Sequence, residues 1–331
     1  MNKILILVLI IFFSCKKEIN HIQKNATVTF VENDFKSVLN LESIELTVVN
    51  DSVYFASRVI IDDDFLYICE EKTDKFLHAI KLPTDEYIGI FGNKGKGPGE
   101  ILASWALSSP EKGRLLVLDP KQKKVVELTV DSLMKKNIFK REYKLGESTH
   151  CHDVIIYNEK MYFTDQNNDE YRMSESDLEG EEVKGYGKLP QNDKFSTSEN
   201  KGKVSRTFMV NNKNIFAFSY FYYPLIELYD IDKNEWVSIV GPDNEIPSPK
   251  FVNRELVYGN IRITDDYIYV LYLGRKGKME MNVIFVFDHK GLPIKKLILE
   301  KNIFSFDVYK DKFIYGLNYE EGKVLKFEIK K

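Results

Sequence analysis

Much of the chain falls into runs of four to eight apolar or aromatic residues broken by Gly, Asn, Asp and Pro, a pattern that predicts short strands. No segment keeps a helical period beyond about three turns; Asp131 to Lys136 reads as a short helical turn. One phrase recurs, a polar turn followed by apolar or aromatic residues: DDDFLYI, EKGRLLVL, YNEKMYFTD, NNKNIFAFS, TDDYIYVLY and YKDKFIYGL. Aligned on Tyr67, Leu116, Tyr162, Phe216, Tyr269 and Tyr315, the copies are 49, 46, 54, 53 and 46 residues apart. A period of about fifty residues in an all-β chain is one unit of about four strands.

Six such units predict an all-β fold, a six-bladed β-propeller with four-stranded blades, over residues 41–331. In blade one the strands are expected at Phe55 to Ile61, Phe65 to Cys69, Lys75 to Lys81 and Glu86 to Phe91, the first lining the channel. Blade six supplies only three, near Ile303 to Val308, Lys312 to Leu317 and Lys323 to Ile329. The unassigned Ser43 to Val49 is expected to pair with the last of these and close the ring, which removes exposed edges. A sandwich plus a separate module would not need six near-equal spacings.

The clearest copy runs from Tyr87 to Asp119 and contains the glycine-rich Gly92 to Glu100. This is not a phosphate loop: Lys96 is followed by Gly97, Pro98 and Gly99, which stop a helix from starting. The phrase FGNKGKGPGE, followed by an apolar segment and GRLLVLD, resembles the NHL-type repeat. The chain begins with Lys3, an apolar run Ile4 to Phe13, then Ser14 and Cys15. That run has the length of a signal-peptide core, and Phe12-Phe13-Ser14-Cys15 resembles the lipobox of bacterial lipoproteins. Together these features resemble the six-bladed, TolB-like or NHL-type propeller lipoproteins common in Bacteroidetes. The resemblance implies a signal peptide over 1–14, lipidation of Cys15, a tether over 15–40, and anchoring to an outer membrane on its periplasmic or outer face. It implies fold more than function, because one scaffold serves enzymes, receptors and passive binding proteins.

The 22 Phe and 19 Tyr support the β assignment. The 47 basic and 50 acidic residues are nearly balanced and form no basic block, which argues against a nucleic-acid partner. Past Cys15 only Cys69 and Cys151 remain; they fall in different units and read as buried apolar residues.

Counting back from each anchor to the start of its innermost strand collects Arg58, Trp105, His152, Arg206, Tyr258, Asn260 and Ser305, with Arg262 just inside the strand of blade five. Three arginines and a histidine suit an anionic ligand, and Trp105 and Tyr258 offer ring faces to a sugar. The alternative is that the arginines pair with acidic neighbours. In His150-Cys151-His152-Asp153, alternate side chains point to opposite faces of a strand, so the four cannot grip one metal. Propeller hydrolases of the lactonase kind hold calcium in the channel; here Asn260, Asp153 and Asp307 are the candidate oxygens, with no Glu beside them. The acidic Asp165 to Asp169 and Ser174 to Glu182 read as a solvated hairpin, and Phe221 to Pro224 as an aromatic turn, exposed or packed between blades.

The expectation is a membrane-anchored binding module, a scaffold or sensor for a partner protein or a glycan-like ligand, needing no cofactor. A cation-dependent hydrolase or lyase is the alternative, and a structural envelope subunit a third reading.

Overall fold

A computed structural model describes residues 26–129, 139–146, 151–165, 170–191, 195–204, 207–242, 255–274, 280–318 and 320–330. Three short strands lead, β1 (Val28–Thr29), β2 (Ser37–Leu41) and β3 (Ser43–Glu45). Blade I follows with β4 (Ala56–Asp62), β5 (Phe65–Glu70), β6 (Lys75–Lys81) and β7 (Glu86–Asn93). Blade II holds β8 (Ala106–Glu111), β9 (Arg114–Asp119), β10 (Lys124–Thr129) and β11 (Phe139–Lys144). Blade III holds β12 (Cys151–Tyr157), β13 (Lys160–Asp165), β14 (Tyr171–Ser176) and β15 (Glu182–Lys188). Blade IV holds β16 (Thr207–Asn212), β17 (Ile215–Tyr220), β18 (Leu225–Asp230) and β19 (Glu235–Val240). Blade V holds β20 (Tyr258–Ile263), β21 (Ile268–Tyr272), β22 (Val283–Phe287) and β23 (Pro293–Leu299). Blade VI holds β24 (Ile303–Tyr309), β25 (Phe313–Asn318) and β26 (Val324–Glu328), completed by β3. The recurrent phrase is thus the turn into each second strand.

The second strands are continuous apolar runs because both of their faces are buried. The core is six apolar wedges, one at each blade-to-blade junction: the wedge between blades I and II, for example, joins Tyr67, Phe76 and Leu77 to Leu115, Val117 and Val126. The wedge between VI and I joins Tyr315 and Leu317 to Val59 and Leu66. Closure of the ring matches expectation in kind: Ser43, Ile44 and Glu45 pair antiparallel with Phe327, Lys326 and Leu325. The strand is shorter than Ser43 to Val49, since Thr47–Asn50 turns into a one-turn helix.

The innermost strands β4, β8, β12, β16, β20 and β24 are sheet edges, and polar side chains of adjoining blades satisfy their backbone. Val59 N–H donates to Ser305 Oγ (3.2 Å) and Ile61 N–H to Asp307 Oδ2 (2.8 Å), joining blade I to VI. Met209 N–H donates to Asp153 Oδ2 (2.9 Å), joining IV to III, and Ser108 Oγ donates to Val154 O (2.9 Å), joining II to III. These contacts serve the rule that buried backbone groups are paired.

The expected tether to Asn40 requires correction. From Ala26 onward the chain lies on the rim: β1 adds in parallel to β19, and β2 in parallel to β23, as fifth strands of blades IV and V. Phe30 and Phe35 hold it there, with ring centroids 5.1 Å (Phe30) and 5.7 Å (Phe35) from that of Phe287. The acidic stretch is also corrected in part: Ser174, Glu175 and Ser176 are buried in β14, and only Asp177 to Glu181 forms the turn. Gln166 to Asp169, and the helical turn expected at Asp131 to Lys136, lie outside the described residues.

The third strands of blades II, III and IV each bury a glutamate, Glu127, Glu175 and Glu227. Each accepts a tyrosine hydroxyl, from Tyr143, Tyr186 and Tyr220, and meets a cation, Arg114, Lys160 and Arg172. Burial pushes the Glu127 carboxyl up, but Arg114, Tyr143 and Lys140 outweigh it and hold the group below the ordinary carboxylate value.

A depressed carboxylate contributes stability above its unfolded pKa of about 4.3 and loses it as pH falls through the folded value. Glu127→Gln is therefore expected to lower stability by about 2 kcal/mol at pH 7, with the gap to wild type closing below about pH 4 in denaturant titrations; a gap independent of pH would contradict the assignment. On the rim, Phe30→Ala is expected to cost about 3–5 kcal/mol, and Val38→Ala, at an exposed site, less than about 0.5. Equal effects in urea melts would mean that the N-terminal segment does not belong to the core.

Candidate functional site

Every innermost strand starts at one mouth of the channel, called upper below, and the turns between second and third strands reach the same face. A cavity of about 510 Å³ opens there over blades VI, I and II. Tyr54 and Phe55 precede β4, Trp105 precedes β8, and Phe304 stands at the start of β24; all four rings line it. Tyr54 is 74% exposed, Phe55 46% and Trp105 41%. Arg58, Ser57 and Ser104 add polar lining, and Glu71, Glu320 and Glu321 come from the adjacent turns.

Glu70, buried at the end of β5, places the first of these rings. Its carboxylate accepts the N–H groups of Tyr54 (2.8 Å), Phe55 (2.9 Å) and Lys72 (2.9 Å), so the backbone turns inward and the two side chains project outward. Burial raises the Glu70 carboxyl, while those N–H groups and nearby His78 outweigh it and leave it below its ordinary value. His78 is buried behind it, with Nδ1 2.8 Å from Tyr87 Oη, and burial holds its imidazole below the usual pKa. Arg58 Nε donates to Trp105 O (3.2 Å), and its guanidinium lies 5.8 Å from the centre of the Phe208 ring in blade IV, so the side chain bridges the channel mouth.

Of the residues expected at this mouth, Arg58 and Trp105 share the cavity; Tyr258, Asn260 and Arg262 do not. Tyr258 is 0% exposed and donates its hydroxyl to Gly241 O (2.7 Å), so its ring faces the core rather than a ligand. Asn260 is buried as well. Arg262 lies lower in the channel, 3.4 Å from Asp307, and donates to Val59 O (3.1 Å), so it stitches blades V, VI and I together and lines a small axial cavity of about 150 Å³. β20 carries a register irregularity between Tyr258 and Ile261, as β4 does between Ala56 and Arg58. Of His152 only the backbone, in β12, is described; Arg206, His150 and Cys15 lie outside the described residues.

A three-arginine anion site is therefore not assembled from Arg58 and Arg262. Nor do the expected cation ligands gather: Asp153 and Asp307 are each tied to the backbone of an adjoining blade, on opposite sides of the ring. Burial raises the Asp307 carboxyl, with Arg262 and the N–H groups of Ile61 and Val308 pulling the other way. Among the described residues no group of three or more His, Cys, Asp or Glu side chains is placed to hold a metal. The glycine-rich loop spends its N–H groups on carboxylates, Gly97 on Glu100 (2.8 Å) and Gly99 on Glu142 (2.7 Å), as suits a linker. Gly99 has φ +73°, and a Cβ there would strike the Phe139 ring. In the aromatic turn, Tyr223 is buried in the wedge between blades III and IV, while Phe221 and Tyr222 are half-buried.

Tyr54, Phe55 and Phe304 escape the count back from the anchors. A signal for the first two is present: an aromatic residue directly before an innermost strand, as in Trp105.

The model of the TolB-like 6-blade propeller-like family matches residues 34–311. The chain belongs to the TolB-like six-bladed propeller family. No curated protein matches the sequence. Among solved structures this TolB-like propeller is similar to a protein of Bacteroides fragilis described as exported (TM-score 0.59, 13% identity, covering 89% of this chain and 100% of the other). It is also similar to a member of the DUF4221 family from Bacteroides vulgatus (TM-score 0.58, 12% identity, covering 88% and 96%). At that identity the likeness concerns the fold.

Because the channel carboxylates of this TolB-like propeller already hold backbone donors, calcium added after chelation is expected to leave its melting temperature unchanged. A saturable rise on calcium addition would show a cation site that the geometry does not provide.

Proposed function

We propose that this propeller is a lipid-anchored binding module of the cell envelope that takes its ligand, a partner segment or a glycan-like molecule, at the upper mouth. The carrying observation is the gathering of Tyr54, Phe55 and Trp105, three of the four aromatic residues that stand exposed among the described residues, around one cavity. Exposed aromatic side chains scattered singly need no explanation, but a cluster round a concave site marks a binding surface. The anchor is supported by the apolar run Ile4 to Phe13 and the lipobox-like Phe12 to Cys15. Its outer-membrane placement, on either face, follows from the resemblance to envelope lipoproteins.

A ligand bound at a hundred times its Kd adds about 2.7 kcal/mol of stability. A thermal-shift screen of saccharides and peptides is expected to find compounds that raise the melting temperature of the wild type but not of the Tyr54→Ala/Trp105→Ala pair, whose own melting is little changed. Stabilisation that survives in the pair would place the site elsewhere. For the anchor, radiolabelled fatty acid is expected in the wild type and not in Cys15→Ala; label in both would refute it.

A further inference from the structure

We infer that the ligand of the upper cavity is an uncharged saccharide, an inference that rests on reading this cavity as the ligand site. Its volume of about 510 Å³ falls within the ~300–1,000 Å³ of small-ligand sites. Charge is what discriminates among ligand classes. Among the described lining residues, an anion entering the cavity meets three carboxylates, Glu71, Glu320 and Glu321, and one cation, Arg58. A cation meets Arg58, and Lys72 already stands over the Phe55 ring with its ammonium 4.3 Å from the ring centre. Glu321 is matched by Lys301 (3.4 Å) and Lys323 (3.2 Å). Charges of both signs thus line or flank one small space, and no single-sign field remains to select an ion.

The same set of groups suits hydroxyls. Carboxylate oxygens accept from them, the guanidinium donates to them, and a serine hydroxyl does either. Ser57 and Ser104 line the cavity, and among the described residues neither buried Oγ has a hydrogen bond of acceptable geometry; Ser104 stands beside the Cys69 thiol. A buried hydroxyl without a partner is unfavourable, and a χ1 rotation toward the cavity would let a ligand hydroxyl satisfy it. The four rings supply faces for the apolar side of a pyranose. A purely apolar ligand would leave the serines and carboxylates unsatisfied.

The test is intrinsic fluorescence of the full chain in detergent. The chain has two tryptophans, and Trp236 stacks on Tyr229 at the rim of blade IV, so Trp236→Phe leaves Trp105 as the reporter. The probes are maltohexaose, cellohexaose and xylohexaose, the charged relatives trigalacturonate and chitosan hexamer, and penta-lysine and penta-glutamate. The expected result is a saturable change with at least one neutral oligosaccharide and at least tenfold weaker binding of every charged probe. Glu71→Gln/Glu320→Gln, two exposed positions, is expected to weaken the neutral ligand with melting unchanged. A charged probe that binds as tightly as the best neutral one overturns the inference and leaves the site standing. If no probe moves Trp105 emission, the inference fails together with the reading of the cavity.

Discussion

Each blade of this propeller buries both faces of its sheet against its two neighbours, and no blade has a core of its own. Stability therefore belongs to the ring, as in repeat arrays whose units bury their surface only on stacking. Ring closure is the step on which this depends. It is made by three residues, Ser43 to Glu45, on the exposed side of β26, and the rim strands β1 and β2 reinforce the same N-terminal segment on blades IV and V. A chain that left β26 unpaired would expose an edge and open the wedge between Tyr315 and Val59.

The same closure shapes the functional face. The six inner strands meet around an axis, where their backbone edges need partners in a space too narrow for a fifth layer. Ser305, Asp307, Asp153 and Ser108 supply those partners, and Arg262 and Arg58 cross the axis at two levels. Asp153 and Asp307, two of the polar residues on the axis, are engaged in holding the ring. While a smaller cavity of about 150 Å³ stays on the axis between all six innermost strands, the larger opening lies off-axis, over the junction where the first and last blades meet. There the entry to β4 and the turn after β25 stand apart and leave the aromatic cavity between them.

The six-fold period was legible because burial on both faces turns every second strand into an apolar run, whereas a half-buried sheet would alternate. Lys75 to Lys81 begins and ends where its pattern does, and the missing strand of blade VI could be found by counting. The rim strands were not legible: Val28–Thr29 and Ser37–Leu41 are short, and their parallel partners lie about two hundred residues or more away. The site was legible in part. Trp105 and Arg58 were found because the repeat spacing puts them at the channel mouth, where their side chains do line the cavity. Tyr258 and Arg262 misled because spacing reports where a residue sits along a strand and not which way its side chain points: Tyr258 turns to the core and Arg262 to Asp307. Tyr54 and Phe55 depend on Glu70 gripping their N–H groups, a contact sixteen and fifteen residues away in sequence that a one-dimensional pattern does not show.

Hydrogen exchange of the full chain, with and without a saturating neutral oligosaccharide, reads out where the ligand sits. Protection is expected of the backbone around Tyr54 to Arg58, Ser104 to Trp105 and Glu320 to Gly322, with the lower hairpins at Asp62 to Phe65 and Tyr309 to Phe313 unchanged. Protection confined to the lower hairpins or to the rim strands would contradict that placement.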